Sequence, residues 1–267
     1  MTLNSLYTIA DEIAPKRISD EYCQKYGAYD NSGILVDTGA EISKALFSLD
    51  LSKAAVRKAV QEHADVIVTH HPAIYGKIDG ICVDDLLGEK LIQCIKNGIS
   101  VISMHLNLDA VQGGIDESLQ EAVVIASKTD KTQNMQTMHN VNGGAYGRAY
   151  DIQPMALQTL CENLGKELQT KRAFFYGNAN KTISRVASFC GAGVDGETLA
   201  FAKAQGVDVM ISADYKHHFI AQALEMGVAV IVLTHYSAEA YGFEKYYEKV
   251  RRQTDILCIY HADEELF

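Results

Sequence analysis

Ser48–Thr69, SLDLSKAAVRKAVQEHADVIVT, decides the fold. It opens on the end of an apolar run and then places Ser52 at a helix N-cap position. Apolar residues follow at helical spacing through Ala64, and the stretch closes on a short β-branched run, DVIVT (Asp65–Thr69). Such a run suits a strand buried on both faces of a parallel sheet. Reading outward, KALFSLD (Lys44–Asp50) is the preceding strand. LLGEKLIQCIKNG, stopped by Gly98, is the next helix, and ISVISM (Ile99–Met104) is the next strand. A further helix is expected from about Gly113 to Ser127. Toward the N-terminus, Leu3–Ile13 reads as a short amphipathic helix, followed by a polar loop that ends in Tyr29–Gly33.

From Ser184 the rhythm returns. SFCGAGVDGETLAFAKAQGVDVMIS (Ser188–Ser212) lies opposite Ser48–Thr69, and MGVAVIVLT (Met226–Thr234) lies opposite NGISVISM (Asn97–Met104). The helix AEAYGFEKYYEKV and the strand DILCIY (Asp255–Tyr260) complete this half. A strand-helix-strand-helix-strand unit used twice is the simplest account. The expected fold class is α/β: two similar αβ lobes, pseudo-duplicated βαβαβ units. The expected division is an N-terminal lobe over 1–127, a connecting segment over 128–181 that is polar and less periodic, and a C-terminal lobe over 182–267 packed with the first as one structural unit.

Composition bounds the function. The chain has 267 residues, 48% hydrophobic and 22% charged, which is enough apolar material for a core. No apolar run approaches the ~18 residues of a membrane span, and the first residues lack the basic-then-apolar layout of a secretory signal. A net charge of −10 argues against nucleic acid as a partner, because phosphate neutralisation dominates such binding. Six cysteines without a C-x-x-C pair indicate a reduced, cytoplasmic protein.

Four of the nine histidines fall directly at the carboxyl ends of expected strands: His70 and His71 after DVIVT, His105 after ISVISM, and His235 after VAVIVLT. In open α/β sheets that is where ligands bind. Asp109 follows His105 by four residues, and Glu239 follows His235 by four, which puts each pair on one face if the segment turns helical. Imidazole with carboxylate is the donor set of zinc, manganese, iron or nickel. The lack of clustered thiols argues against a closed structural zinc site. Five or six candidate ligands exceed what one catalytic zinc takes, so two divalent ions about 3.5 Å apart are expected.

Other residues carry weaker signals. His63 reads as a partner of a helix C-terminus, and His139 and His261 read as solvated. Asp214, with His217 and His218, follows VDVMIS and is either site-lining or a helix start. Asp30-Asn31-Ser32-Gly33 reads first as a turn. Gly191-Ala192-Gly193, between a strand and a helix, is a weak phosphate-cradle signal.

Taken in order, Asp30–Gly33, Thr69-His-His-Pro72, His105-Leu-Asn-Leu-Asp109 with Gly113-Gly114, Ser212-Ala-Asp214 with His218, and His235-Tyr-Ser-Ala-Glu239 resemble a known family over the whole chain. It is the family of GTP cyclohydrolase I type 2 homologues, also called the NGG-interacting-factor-three-like proteins. The resemblance implies a two-lobed α/β fold with a metal pair in the cleft between the lobes. Its ligands would be His70, His71, Asp109, His235 and Glu239, with His105 as an extra ligand or an acid/base beside them. It also implies a ring-shaped homohexamer. Ser212-Ala-Asp214 stands where Thr-Gly-Asp is usual, and Cys190-Gly-Ala-Gly193 where Gly-Gly-Ser-Gly is usual. The activity expected is metal-dependent hydrolysis of a small-molecule or nucleotide-like substrate, with His105 or His218 carrying protons. The alternative is a non-catalytic, metal-binding regulatory ring acting through protein partners.

Overall fold

The computed structural model describes residues 1–266. In chain order the first half contains α1 (Leu3–Ile13), α2 (Lys16–Tyr26), β1 (Gly33–Val36), β2 (Lys44–Ser48), α3 (Lys53–Glu62), β3 (Val66–Thr69), α4 (Leu86–Lys96), β4 (Ser100–Ser103) and α5 (Leu106–Ala110). The second half contains α6 (Ile115–Ala126), β5 (Gln133–Val141), β6 (Gly144–Ala156), α7 (Leu157–Glu167), β7 (Phe174–Tyr176), β8 (Thr182–Ser188), α8 (Gly196–Ala204), β9 (Val209–Ser212), α9 (His217–Glu225), β10 (Ala229–Val232), α10 (His235–Arg251) and β11 (Leu257–His261). No helix among the described residues is long and apolar enough to cross a membrane.

The chain divides into two units: Met1–Val111 with Phe243–Glu264, and Gln112–Gly242 with the residues from Glu265. The first holds a five-stranded sheet in the order β1-β4-β3-β2-β11. β11, β2, β3 and β4 run parallel and β1 is antiparallel. All of β3 and β4 is buried, as two-sided coverage demands. Leu46, Ile67 and Val101 pack with Val56 and Ala59 of α3 and with Leu91 and Cys94 of α4. Ser52 caps α3, its side chain accepting from the Ala55 amide.

The second unit holds a six-stranded sheet, β5-β6-β8-β9-β10-β7. Its parallel centre of β8, β9 and β10 repeats the plan of β2, β3 and β4. Antiparallel strands flank that centre: the β5–β6 hairpin on one side and β7 on the other. Ala187, Met210 and Val230 pack with Leu199 and Ala202 of α8 and Ala223 of α9.

The two βαβαβ repeats stand as read, while the outline around them differs from expectation. Residues 112–127 and 128–181 fold with the second unit, because α6 and α7 pair with one another and β5, β6 and β7 extend its sheet. The last strand leaves the second repeat and pairs in parallel with β2, Cys258 opposite Ala45. The polar loop after Ile13 contains α2 and β1, which alternate too briefly to show in composition.

Candidate metal centre

Each strand-end histidine is held by one ring nitrogen. His70 Nδ1 lies 2.8 Å from the Met104 carbonyl oxygen, and His71 Nδ1 lies 2.7 Å from Asp50 Oδ1. His105 Nδ1 is 2.8 Å from Asp30 Oδ1, and His235 Nδ1 is 2.5 Å from Asp214 Oδ2. An acceptor on Nδ1 fixes the tautomer that leaves Nε2 with its lone pair, the arrangement that orients metal-ligating histidines.

In the first unit these rings stand together. The amides of His70 and His71 both donate to the Leu49 carbonyl at the end of β2, which turns the chain sharply after β3. His70 is fully buried, and its ring centroid is 4.9 Å from that of His71 and 5.2 Å from that of His105. His70 Nε2 lies 3.5 Å from Asp109 Oδ1. Donor atoms of His70, His105 and Asp109 all fall within 4.8 Å of one another. The four-residue spacing works as read, because His105 is the N-cap of α5 and Asp109 sits in that short helix.

Asp30-Asn31-Ser32-Gly33 is more than a turn. Besides holding the His105 ring, Asp30 accepts from Ser32 Oγ at 2.6 Å, and Ser32 Oγ in turn accepts from the His105 amide at 3.0 Å. Burial works toward a neutral Asp30, but the hydrogen bonds from His105 and Ser32 win and hold its carboxyl far below the usual carboxylate range. For His105, burial disfavours the charged ring; the Asp30 hydrogen bond and the charges of Asp109 and Asp30 outweigh it and raise its pKa.

In the second unit the first turn of α10 brings His235 Nε2 to 3.1 Å from Glu239 Oε1, the predicted i, i+4 pair. Glu239 is buried. Gly191 makes room for both: a Cβ there would lie 2.3 Å from Glu239 Oε1 and 3.3 Å from His235 Nε2. The Cys190 thiol lies within 4.8 Å of a Glu239 carboxylate oxygen. Asp116, fully buried, accepts from the amides of Gly147 and Cys190 and pairs with Arg148 Nε at 3.0 Å. The Tyr146 hydroxyl donates to the Cys190 carbonyl at 2.6 Å.

The weaker candidates sort themselves. Asp214, with a left-handed backbone (φ +50°), lines the site by holding His235. His218 is exposed at the start of α9, its ring against Phe219. The glycine turn is no phosphate cradle, because Asp195 accepts from the Glu197 and Thr198 amides at the start of α8 and places an anion where a phosphate would go. His139 and His261 are not solvated; they sit 3.5 Å from Glu197 and 3.2 Å from Asp263. Asp50 escaped the sequence reading, although it ends a strand as the histidines do.

The donor set fits a divalent transition metal: neutral imidazole nitrogens with fixed tautomers, carboxylate oxygens, and a cleared volume at Gly191. Comparison with known proteins gives the family. The family model Duf34/NIF3 (NGG1p interacting factor 3) matches residues 1–263. A "GTP cyclohydrolase 1 type 2 homolog" of Clostridium perfringens is 30% identical over 257 residues, covering 96% of this chain and 93% of its own. Reduced HcgD from Methanocaldococcus jannaschii superposes with a TM-score of 0.77 at 25% identity, covering 97% of each chain. A Bacillus cereus protein related to NIF3 superposes with a TM-score of 0.79 at 18% identity, covering 98% of this chain and 96% of its own, and speaks for the fold alone.

Proposed function

The chain belongs to the Duf34/NIF3 family, and from that premise we propose that it is a metal-dependent hydrolase with a dinuclear centre. Its ligands are His70, His71, Asp109, His235 and Glu239, the set the family resemblance implies. The observation that carries this reading is the Nδ1 anchoring shared by His70, His71, His105 and His235. Three of those rings, His70, His71 and His235, offer Nε2 to an ion, and His105 keeps its Nε2 for proton transfer. The ions are drawn from zinc, manganese, iron and nickel, and when bound they supply Lewis acidity toward a carbonyl or phosphoryl oxygen and toward water.

The chain's own residues do the rest. Asp50 and Asp214 keep the His71 and His235 rings in register. Asp30 holds His105 with a proton on Nδ1 and favours its charged form, so His105 can release the Nε2 proton to a leaving group and recover it. His218 is the second proposed proton carrier. We also take the protein to be a cytoplasmic homohexameric ring, following the family resemblance and the free cysteines.

Elemental analysis of purified and metal-reconstituted protein, followed by assays on nucleotides, phosphoesters and cyclic amides, tests the reading. Two ions per chain and turnover that H105A abolishes are expected. Absence of metal in both preparations overturns the centre, and metal without turnover on any panel overturns the hydrolase.

A further inference from the structure

Cys190 is buried, as are Cys94, Cys161 and Cys258. A buried thiol ordinarily serves as a small hydrophobe, and Cys94 does so, clustered with Leu46, Ile67 and Leu91. Cys190 keeps different company. Its chain neighbour Phe189 joins the apolar core of the second unit, while its own sulfur lies within 4.8 Å of a Glu239 carboxylate oxygen. Glu239 Oε1 is in turn 3.1 Å from His235 Nε2. Sulfur and oxygen on one tetrahedral zinc stand about 3.6 Å apart, given bonds of about 2.3 and 2.1 Å. A thiol and an imidazole thus approach the same carboxylate, and a small side-chain rotation brings the sulfur to the spacing of a shared ion. The backbone that carries this thiol is pinned on every side. The Phe189 amide donates to the Ile211 carbonyl at 3.0 Å. The Cys190 amide donates to Asp116 Oδ1 at 3.3 Å, and the Cys190 carbonyl accepts from the Tyr146 hydroxyl at 2.6 Å. The Gly191 carbonyl accepts from the Ala213 amide and the Ser212 hydroxyl, each at 3.1 Å. With Phe189, Cys190 and Gly191 all fixed, the thiol keeps only rotation about its own Cα–Cβ bond, which is the preorganisation a ligand needs.

We propose that Cys190 is a metal ligand of this chain: its thiolate binds the ion that His235 and Glu239 hold, adding a sulfur to a set of nitrogen and oxygen donors. This rests on the metal reading above and goes beyond it, since that reading assigns no thiol. A thiolate is a soft donor and favours zinc over manganese, which prefers carboxylate, carbonyl and water. Cys190 therefore biases which divalent ion the chain keeps.

The test is X-ray absorption at the zinc edge together with cobalt substitution, on the full chain kept under reducing conditions. The zinc-loaded parent should show a sulfur shell at about 2.3 Å beside a nitrogen and oxygen shell at about 2.0 Å. The cobalt-loaded parent should show thiolate-to-cobalt charge-transfer absorption in the near ultraviolet. C190S should lose both signals while still taking up metal, and its preference for zinc over manganese in competition should fall about tenfold or more. C82S removes an exposed thiol and should keep both signals. Zinc bound by the parent with a nitrogen and oxygen shell alone overturns the thiolate ligand and leaves the metal centre standing. Signals that survive in C190S, or vanish in C82S, overturn it as well. A parent chain that takes up neither zinc nor cobalt overturns the centre and the ligand together. The zinc-edge measurement on the parent needs no variant, so it decides the assignment even where C190S fails to fold.

Discussion

Asp65 and Asp208 hold the same post in the two units. One carboxylate oxygen of Asp65 accepts from the Ser43 amide, the Ser43 hydroxyl and the Lys44 amide at 2.7–2.9 Å. One oxygen of Asp208 accepts from the Ser184 amide, the Ser184 hydroxyl and the Arg185 amide at 2.8–2.9 Å. Each aspartate amide donates to the carbonyl of that same basic residue, Lys44 or Arg185, and each aspartate carbonyl accepts from the head of the next strand, Ser100 or Ala229. The duplication therefore extends to individual hydrogen bonds that start the parallel strands in register.

The Asp65 clamp makes stability depend on pH. Partial burial pushes this carboxyl up, but the Ser43 and Lys44 hydrogen bonds together prevail and lower its pKa. A lowered folded value means the contribution is complete above the ordinary carboxylate pKa and is lost as pH falls through the folded one. D65N should lose about 1 kcal/mol at neutral pH, a figure reduced for solvent exposure. The gap to the parent chain should close below about pH 4, as read from urea melts across pH. A gap that widens in acid would refute the assignment.

Removing the anchors of the rings should weaken metal binding without unfolding the chain. D50N and D214N each leave the ligating nitrogen in place but loosen its ring, which typically costs about 10–100-fold in metal affinity. Competition with a zinc chelator measures this, with thermal melts of the metal-free variants as the control.

Gly191 and Gly206 separate backbone strain from site crowding. Both have positive φ, +55° and +62°, but only Gly191 faces side chains. G206A should cost about 1 kcal/mol, the left-handed penalty alone, and should keep full zinc uptake. G191A should cost more and lose zinc, because the new methyl displaces Glu239. Equal metal uptake by the two variants would count against the cleared volume.

The buried Asp116–Arg148 pair should be costly to break and cheap to replace whole. D116A leaves Arg148 with only the more distant Glu117 carboxylate at 3.8 Å and strips the Gly147 and Cys190 amides of their acceptor, and should destabilise by about 3 kcal/mol in denaturant titration. Replacing both partners together with leucine and methionine should recover most of that loss.

Much of this molecule is legible in one sequence because parallel strands buried on both faces must be short, continuous and apolar, and VIVT and VMIS are. The ligand candidates are legible because strand ends in such sheets converge and histidines at Thr69-His, Met104-His and Thr234-His occupy them. Asp30 and Asp50 are not, since a carboxylate that holds an imidazole need only be near in space. β11 misleads for a similar reason: DILCIY has a strand's composition but nothing in it names β2 as its neighbour. β5 is exposed along its first four residues, 133–136, so it carries no apolar alternation there to read.

The Nδ1 contacts of the four rings also set when the ordering of those side chains occurs. An imidazole already locked by a carbonyl or carboxylate has surrendered its rotamer freedom during folding, so ion capture need not order it again. On the proposed reading these rings would be emptied and refilled without being reordered, and affinity would change more through how fast ions leave than through how fast they arrive.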